Sequence, residues 1–159
     1  MSSVWSRQKH LYIVFFLFSL QFIILNVYYF DDLFRIQHGY YGWEGDGRIL
    51  GDWLYKLLLQ FRSPIADVYP LPFLIVGLFF CYAVYAFLNT VEITSKFKQS
   101  LLLLLIIGSP LALSNWLFKF DGAFMLASVG FAILPFSLQK LNCKKSIVLS
   151  ILSLVAVFC

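Results

Sequence analysis

The run LPFLIVGLFFCYAVYAFLNTV, at residues 71–91, contains no charged side chain over 21 positions. A helix needs about 20 predominantly apolar residues to cross the hydrocarbon core of a bilayer. The rest of the chain has the same character, because 61% of its 159 residues are hydrophobic and 13% are charged. A soluble domain of this length could not bury so much apolar surface. We therefore predict an all-α fold, a polytopic helical membrane protein.

Three further apolar runs are long enough to be spans, at residues 11–30, 101–118 and 122–138. Bulky residues end the first run, where a signal peptide would have a small-residue cleavage site, so we predict an uncleaved anchor. Residues 146–159 begin another run of about 14 residues, shorter than the roughly 17 to 25 of a span. We expect a single membrane domain over residues 1–159, incomplete at its C-terminus, with about four to five spans.

Basic residues lie in every second connection between these runs. Short cytoplasmic loops are enriched in Lys and Arg, which predicts a cytoplasmic N-terminus and an outward position for the 31–70 loop and for Asp121. Because the basic residues are dispersed around apolar segments, they do not indicate a nucleic-acid partner. The basic residues that set this orientation are Arg7, Lys9, Lys96, Lys98, Lys140, Lys144 and Lys145.

The 31–70 loop holds six of the eight acidic residues of the chain. Asp31 and Asp32 follow the first span directly, so we expect both carboxylates at the membrane surface, where lipid head groups lie. One carboxylate of such a pair can take a proton from a hydroxyl while the other orients it, holds a cation or raises its pKa. The alternative is that the pair caps the next helix and marks the membrane boundary.

Aromatic residues alternate with Gly39, Gly42, Gly45 and Gly47 further along this loop. This composition suits a sugar-stacking platform and equally an interfacial aromatic belt. Residues 48–61 then follow helical periodicity, with Asp52 and Lys56 away from the apolar stripe. At about 14 residues the segment is too short to span, which predicts a helix in the bilayer interface that forms one wall of a lipid-facing groove.

Asp121 lies in NWLFKFDG, residues 115–122, between the third and fourth predicted spans. It could cap a helix, or it could reach the same cavity as the Asp31 and Asp32 pair. The adjacent Lys119 suits a side chain that snorkels to the surface. The three cysteines do not share the outward loop, so we predict neither a disulfide nor a metal-thiolate site.

Two stretches together resemble a known family. They are YYFDDLFRIQHGYYGWEGDGRILGDWL, residues 28–54, and SPLALSNWLFKFDGAFMLAS, residues 109–128. Their order and spacing are similar to those of the bacterial membrane glucosyltransferases of the Gtr type II family, which modify O-antigen. The resemblance covers about residues 12 to 138. It implies a multi-span C-type glycosyltransferase fold in the bacterial inner membrane, with its active site on the periplasmic side.

The resemblance also implies a reaction and its participants. The donor would be a polyprenyl-phosphate sugar, with glucose as the sugar, and the acceptor a cell-surface polysaccharide. Asp31 or Asp32 would be the catalytic base, and Asp121 would orient the substrate or a divalent cation, the one cofactor considered. The remaining implied contacts are Arg35 and Arg48 on the donor phosphate, with Tyr41 and Trp43 stacked on a sugar ring.

Enzymes of that fold have more spans than are visible here, so we do not expect this chain to be active alone. The rival hypothesis is a small non-catalytic membrane protein whose loop docks on another subunit through Asp31 and Asp32. A transporter is disfavoured, because the interiors of the 71–91 and 122–138 runs carry no charged residue.

Overall fold

The computed structural model describes residues 2–26, 28–39, 49–59, 67–137, 147, 149–151 and 153–154. Within these ranges the regular structure is α-helical, as predicted. The helices are α1 (Ser2–Leu25), α2 (Phe30–His38), α3 (Ile49–Leu58), α4 (Leu71–Thr90), α5 (Lys96–Ile107), α6 (Pro110–Trp116) and α7 (Asp121–Ser137).

Two of these helices are long and apolar enough to cross a membrane: α1, over Arg7–Leu25, and α4. The pair α5 and α6 would make a third span, although the two helices meet at an angle of 69°. Helix α7 is apolar but has 17 residues. The described residues therefore hold two or three candidate spans, and the prediction of four to five spans stays a prediction.

The first apolar run is interrupted earlier than predicted. Helix α1 ends at Leu25, and Asn26 adopts a left-handed conformation with φ of 47°. Asparagine tolerates this conformation better than most residues, which suits it to the position after a helix. Asp31 and Asp32 consequently lie in the first turn of a separate helix, α2, and not directly on the end of the span. His38, which lies in the 31–70 segment that was predicted to be an outward loop, is the exposed last residue of α2.

The predicted span at 101–118 is also broken, between Ile107 and Pro110. Proline cannot continue a helix, because it lacks the N–H and its ring clashes with the preceding turn, but it suits the first position of a new helix. The Ser109 hydroxyl accepts a hydrogen bond from the Ala112 N–H at 3.3 Å and caps α6. A continuous third span is therefore replaced by two helices with a sharp bend.

Helix α4 lies between α1 and α7, and glycines permit both contacts. A β-carbon at Gly77 would overlap the ring of Phe15 on α1, and one at Gly130 would lie 2.7 Å from the ring of Phe79 on α4. Small residues let helices in a membrane approach closely, and van der Waals contact then stabilises the pair. Trp116 packs beside these helices, with its ring 4.7 Å from that of Phe73.

The two ends of the bundle differ in charge. We call residues 26, 28–39, 49–59, 67–70 and 117–121 the acidic end, because Asp32, Asp67 and Asp121 lie there. The opposite, basic end joins the start of α1 to the start of α5. There His10 Nε2 and Gln99 Oε1 form a hydrogen bond of 2.9 Å, near exposed Lys9 and Lys98. Segments far apart in sequence thus meet at each end.

Candidate functional site

The acidic end is organised around the backbone turn that precedes α7. One carboxylate oxygen of Asp32 accepts a hydrogen bond from the Lys119 N–H at 2.9 Å, and the other accepts from the Phe120 N–H at 3.3 Å. Asp32 is 1% exposed. A carboxylate on α2 therefore binds backbone groups of a turn that lies 87 residues further along the chain.

Helix α3 contacts the same turn from another side. The Tyr55 hydroxyl donates to the Phe120 carbonyl oxygen at 3.4 Å, and the two rings pack with centroids 5.7 Å apart. The backbone of Gly51 lies close enough to α7 that an added β-carbon would sit 3.3 Å from the Phe124 ring. A helix is present at Ile49–Leu58, within the 48–61 segment, with Trp53 and Leu57 exposed on its outer face, and its position in the bilayer interface stays a prediction.

Lys119 points into the protein, so the interpretation that it snorkels to the surface was wrong. The residue is 3% exposed, and its ammonium group donates a hydrogen bond to the Asn26 side chain. The Nζ atom lies 3.2 Å from the centroid of the Tyr28 ring and 5.0 Å from that of Tyr69. Burial lowers the pKa of Lys119, and the negative charges of Asp67 and Asp32 oppose that shift.

Asp67 connects the segment before α4 to the segment after α1. It accepts a hydrogen bond from the Tyr28 hydroxyl on one oxygen and from the Tyr69 N–H, at 2.9 Å, on the other. The hydrogen bond to Asp67 raises the pKa of Tyr28 to about 12, because the neutral phenol is the donor. Tyr28 therefore serves both as donor to Asp67 and as an aromatic face for Lys119.

Charges at the acidic end influence one another. Burial raises the pKa of Asp32, the backbone N–H groups of Lys119, Phe120 and Tyr29 lower it, and the Asp121 charge raises it. The pKa of Tyr55 is raised first by burial and then by Asp121, Asp67 and Asp32, whereas Arg35 opposes the shift. The structure thus brings Asp32 and Asp121 into one electrostatic environment.

The predicted site residues are only partly described. Arg35 lies in the last turn of α2 and is buried, at 6% exposed, and Asp121 begins α7 at 9% exposed. The backbone of Asp31 lies in the first turn of α2. The Asp31 side chain and the three residues Tyr41, Trp43 and Arg48 lie outside the part of the chain that the structure describes.

Asp52 was not among the predicted site residues, although it is fully buried, at 0% exposed. Its Oδ2 forms an ion pair with Lys56, one turn along α3, and its Oδ1 receives no hydrogen bond from any described residue. The periodicity placed Asp52 away from the apolar stripe of the helix. The side of α3 that carries Asp52 faces the protein, because the apolar stripe is the outer face of α3.

Tyr28, Tyr55, Asp67 and Lys119 were also not predicted as site residues. Tyr28 and Asp67 border the loop, and the sequence carries no signal that pairs them across 39 positions. Within the described ranges, no three or more His, Cys, Asp and Glu side chains form a group that could hold a metal ion.

Apolar helices of membrane-spanning length, with a buried polar cluster at one end of the bundle, define a helical membrane protein. The model of the family Glucosyl transferase GtrII matches residues 20–159. The chain belongs to this family, which confirms the resemblance, and the family-level activity is glycosyl transfer.

A protein of Salmonella phage P22 is similar to part of this chain. It is described as an uncharacterized 55.3 kDa protein in the gtrB 5' region, and it is 28% identical over 107 residues. The match covers 67% of this chain and 22% of that protein, so the chain spans a minor part of the relative's length. No solved structure matches the chain.

Proposed function

We propose that this chain forms part of a membrane glycosyltransferase that moves a sugar, glucose, from a polyprenyl-phosphate donor to a cell-surface polysaccharide, the O-antigen. The observation that carries the proposal is the meeting of three separated segments at the acidic end. Asp32 of α2 and Tyr55 of α3 both bind the turn that precedes Asp121. The two stretches that resemble the family are therefore in direct contact with each other.

We propose a role in glycosyl transfer for each candidate residue of this chain. A carboxylate of the Asp31 and Asp32 pair takes the proton from the acceptor hydroxyl, which makes that oxygen a better nucleophile toward the sugar. Arg35 and Arg48 bind the donor phosphate, because a guanidinium group matches phosphate oxygens in bidentate geometry. Tyr41 and Trp43 stack on a sugar ring, and Asp121 orients the substrate or a divalent cation. These are proposed roles for the residues of this chain.

A lipid-linked donor suits the position of the polar cluster. The outer faces of α2 and α3 are apolar, with Phe30 75% exposed and Leu57 65% exposed, and such faces favour contact with lipid. The buried polar side chains lie directly behind these faces. A donor whose head group lies at the bilayer surface could then reach the carboxylates without leaving the membrane.

We place the protein in the bacterial inner membrane as a multi-pass protein, with its N-terminus in the cytoplasm. Lys9 and Lys98 lie at one end of the bundle and the buried carboxylates at the other. By the positive-inside rule the basic end faces the cytoplasm, and the acidic end faces the periplasm. A periplasmic site is consistent with a lipid-linked donor.

A second candidate function is that of a non-catalytic membrane protein that binds another membrane subunit. The observation that favours it is the role of Asp32, whose two carboxylate oxygens both bind backbone N–H groups within the chain. In this hypothesis the acidic end is a rigid surface that the partner recognises, and the partner or a longer chain supplies the rest of the catalytic cavity.

The test is expression of this chain in a bacterium that makes polyprenyl-phosphate glucose and carries an unmodified O-antigen. Mass spectrometry of the polysaccharide measures whether one hexose is added per repeat; a gain would establish the transfer and correct the expectation that this chain is inactive alone. The Asp31→Asn, Asp32→Asn double variant should remove this gain while it still inserts into the membrane. Glu92→Gln, a matched change of an exposed acid at the basic end, should retain it.

The opposite result is equally informative. If the repeat mass stays unchanged while the wild-type chain is present in the membrane and the acceptor repeat is intact, this chain does not catalyse the transfer by itself. The partner hypothesis would then be examined by co-purification with the subunits of the same membrane.

A further inference from the structure

We propose that Asp32 is a positioning residue for the transfer reaction, one that fixes the Lys119–Phe120 turn and thereby Asp121. The proposal rests on the proposed function and divides the roles within the Asp31 and Asp32 pair. Asp32 holds the site together, and Asp31 is the member that takes the proton from the acceptor. The two neighbouring carboxylates thus have different tasks.

The first argument is the engagement of the Asp32 carboxylate. Its two oxygens accept from two successive N–H groups, at 2.9 Å from Lys119 and 3.3 Å from Phe120. The residue is 1% exposed. A base must present an oxygen to the substrate hydroxyl at hydrogen-bond distance, and a carboxylate that is buried among backbone donors does not present one.

The second argument is that protonation of this carboxylate would weaken its two hydrogen bonds during turnover. Hydrogen bonds from N–H groups favour the charged form of a carboxylate, and they weaken when it takes a proton. If Asp32 were the base, each cycle would loosen its bonds to Lys119 and Phe120 at the moment when Asp121 must be held in place. A positioning role requires no proton transfer at Asp32 during the reaction.

The third argument is that the turn is held from several directions. The Phe120 N–H binds Asp32 on α2, and the Phe120 carbonyl accepts from Tyr55 on α3. The Lys119 ammonium binds the Asn26 side chain beside the Tyr28 ring. Asp121 is the next residue in the chain, so its backbone position follows from these contacts. Asp32 supplies the two contacts to backbone N–H groups.

The experiment compares Asp32→Asn with Asp32→Ala in hexose transfer and thermal stability. Asparagine retains one oxygen that can accept from a backbone N–H, whereas alanine retains none. We expect Asp32→Asn to lower kcat about tenfold and Asp32→Ala to lower it about a hundredfold, in line with one and two lost hydrogen bonds. The acid limb of the pH profile should be the same in Asp32→Asn as in the wild type, and it should be lost in Asp31→Asn. Glu92→Ala is the control for loss of a carboxylate.

Equal inactivity of the two Asp32 variants, with both as stable as the wild type, would overturn the positioning role and make Asp32 the base. Loss of the acid limb in Asp32→Asn would overturn it as well. If the wild-type chain itself transfers no hexose, this chain does not catalyse the transfer by itself. Even then, a lower melting temperature for Asp32→Ala than for Asp32→Asn would support the role of Asp32 in fixing the Lys119–Phe120 turn. Equal melting temperatures would refute that role.

Discussion

The indole Nε1–H of Trp116 donates a hydrogen bond to the Ile107 carbonyl oxygen at 3.1 Å, across the break between α5 and α6. Ile107 ends α5, where the last carbonyl groups lack partners within the helix. Trp116 is 6% exposed, so its Nε1–H donates to a protein acceptor and not to solvent. The 69° bend therefore has a specific side-chain partner that stabilises it.

Replacement of Trp116 by Phe should lower the free energy of unfolding by about 1–2 kcal/mol, because it leaves a buried carbonyl without its donor and removes indole packing. Thermal unfolding in detergent micelles measures the effect. Trp53→Phe, at a position 57% exposed on α3, is the matched control and should change stability by less than about 0.5 kcal/mol. Equal effects of the two changes would contradict the role of the bend contact.

The α1 and α4 contact predicts that Gly77→Ala destabilises the protein by about 1–3 kcal/mol. The added methyl group would overlap the Phe15 ring, and that ring is 4% exposed and packed against Phe73 and Phe80. Leu78→Ala, on the exposed face of the same helix, is the control for a change of side-chain volume. If Gly77→Ala has the melting temperature of the wild type, α1 and α4 can move apart to accommodate the methyl group without loss of stability.

Removal of the cation that pairs with buried Asp52 should destabilise α3. We expect Lys56→Met to lower the free energy of unfolding by about 1–3 kcal/mol, because a buried carboxylate would lose its ion pair. The double variant Lys56→Met, Asp52→Asn should recover part of this loss, since the buried group is then neutral. Strictly additive losses in the two single and the double variants would show that the pair is not coupled.

Lys119→Met tests the aromatic environment of the Lys119 ammonium. The change removes a charged hydrogen bond to Asn26 and the interaction with the Tyr28 ring, and relief of desolvation offsets part of the loss. We expect a net destabilisation of about 1–2 kcal/mol, measured by thermal unfolding. Lys98→Met, at an exposed position of the basic end, is the control and should be close to neutral. The reverse order of effects would mean that Lys119 does not stabilise the turn.

The raised pKa of Asp32 sets a direction for the dependence of stability on pH. The folded protein binds the Asp32 proton more tightly than the unfolded chain does. Asp32 therefore adds to the free energy of unfolding at pH values below its pKa in the unfolded chain. This contribution is lost as the pH rises through its pKa in the folded protein. Asp32→Asn has no such dependence at this position. The melting temperature of the wild type relative to Asp32→Asn should therefore rise as pH falls from about 7 toward about 4. A fall of the wild type relative to the variant would contradict the direction of the shift.

The sequence predicted individual helices better than their ends. The apolar run at 71–91 appears as Leu71–Thr90, since composition alone stabilises a helix in lipid. The span predicted at 11–30 extends beyond the observed end of α1 at Leu25, because hydropathy does not reveal that Asn26 adopts a left-handed conformation. At 101–118 the same measure concealed the break at Pro110, where an apolar residue interrupts the helical hydrogen bonds.

The candidate site was predictable in part. The Asp31 and Asp32 pair and Asp121 were recognisable as acids between apolar runs, and the family match confirms the resemblance in which they lie. Asp52 was missed, because a helical wheel separates apolar from polar faces without stating which face is buried. In a membrane protein the apolar face can point to lipid, and the polar face then points to the protein interior.

The amino-acid sequence by itself determined that this chain is helical, that it belongs in a membrane and which family it is similar to, because those properties follow from local composition and residue order. The tertiary structure alone decided that Asp32 binds the Lys119–Phe120 turn and that Lys119 turns inward between Tyr28 and Tyr69. Those contacts join positions separated by 50 to 91 residues. They depend on how α1, α4 and α7 pack, since buried polar groups must find partners wherever the bundle brings them together.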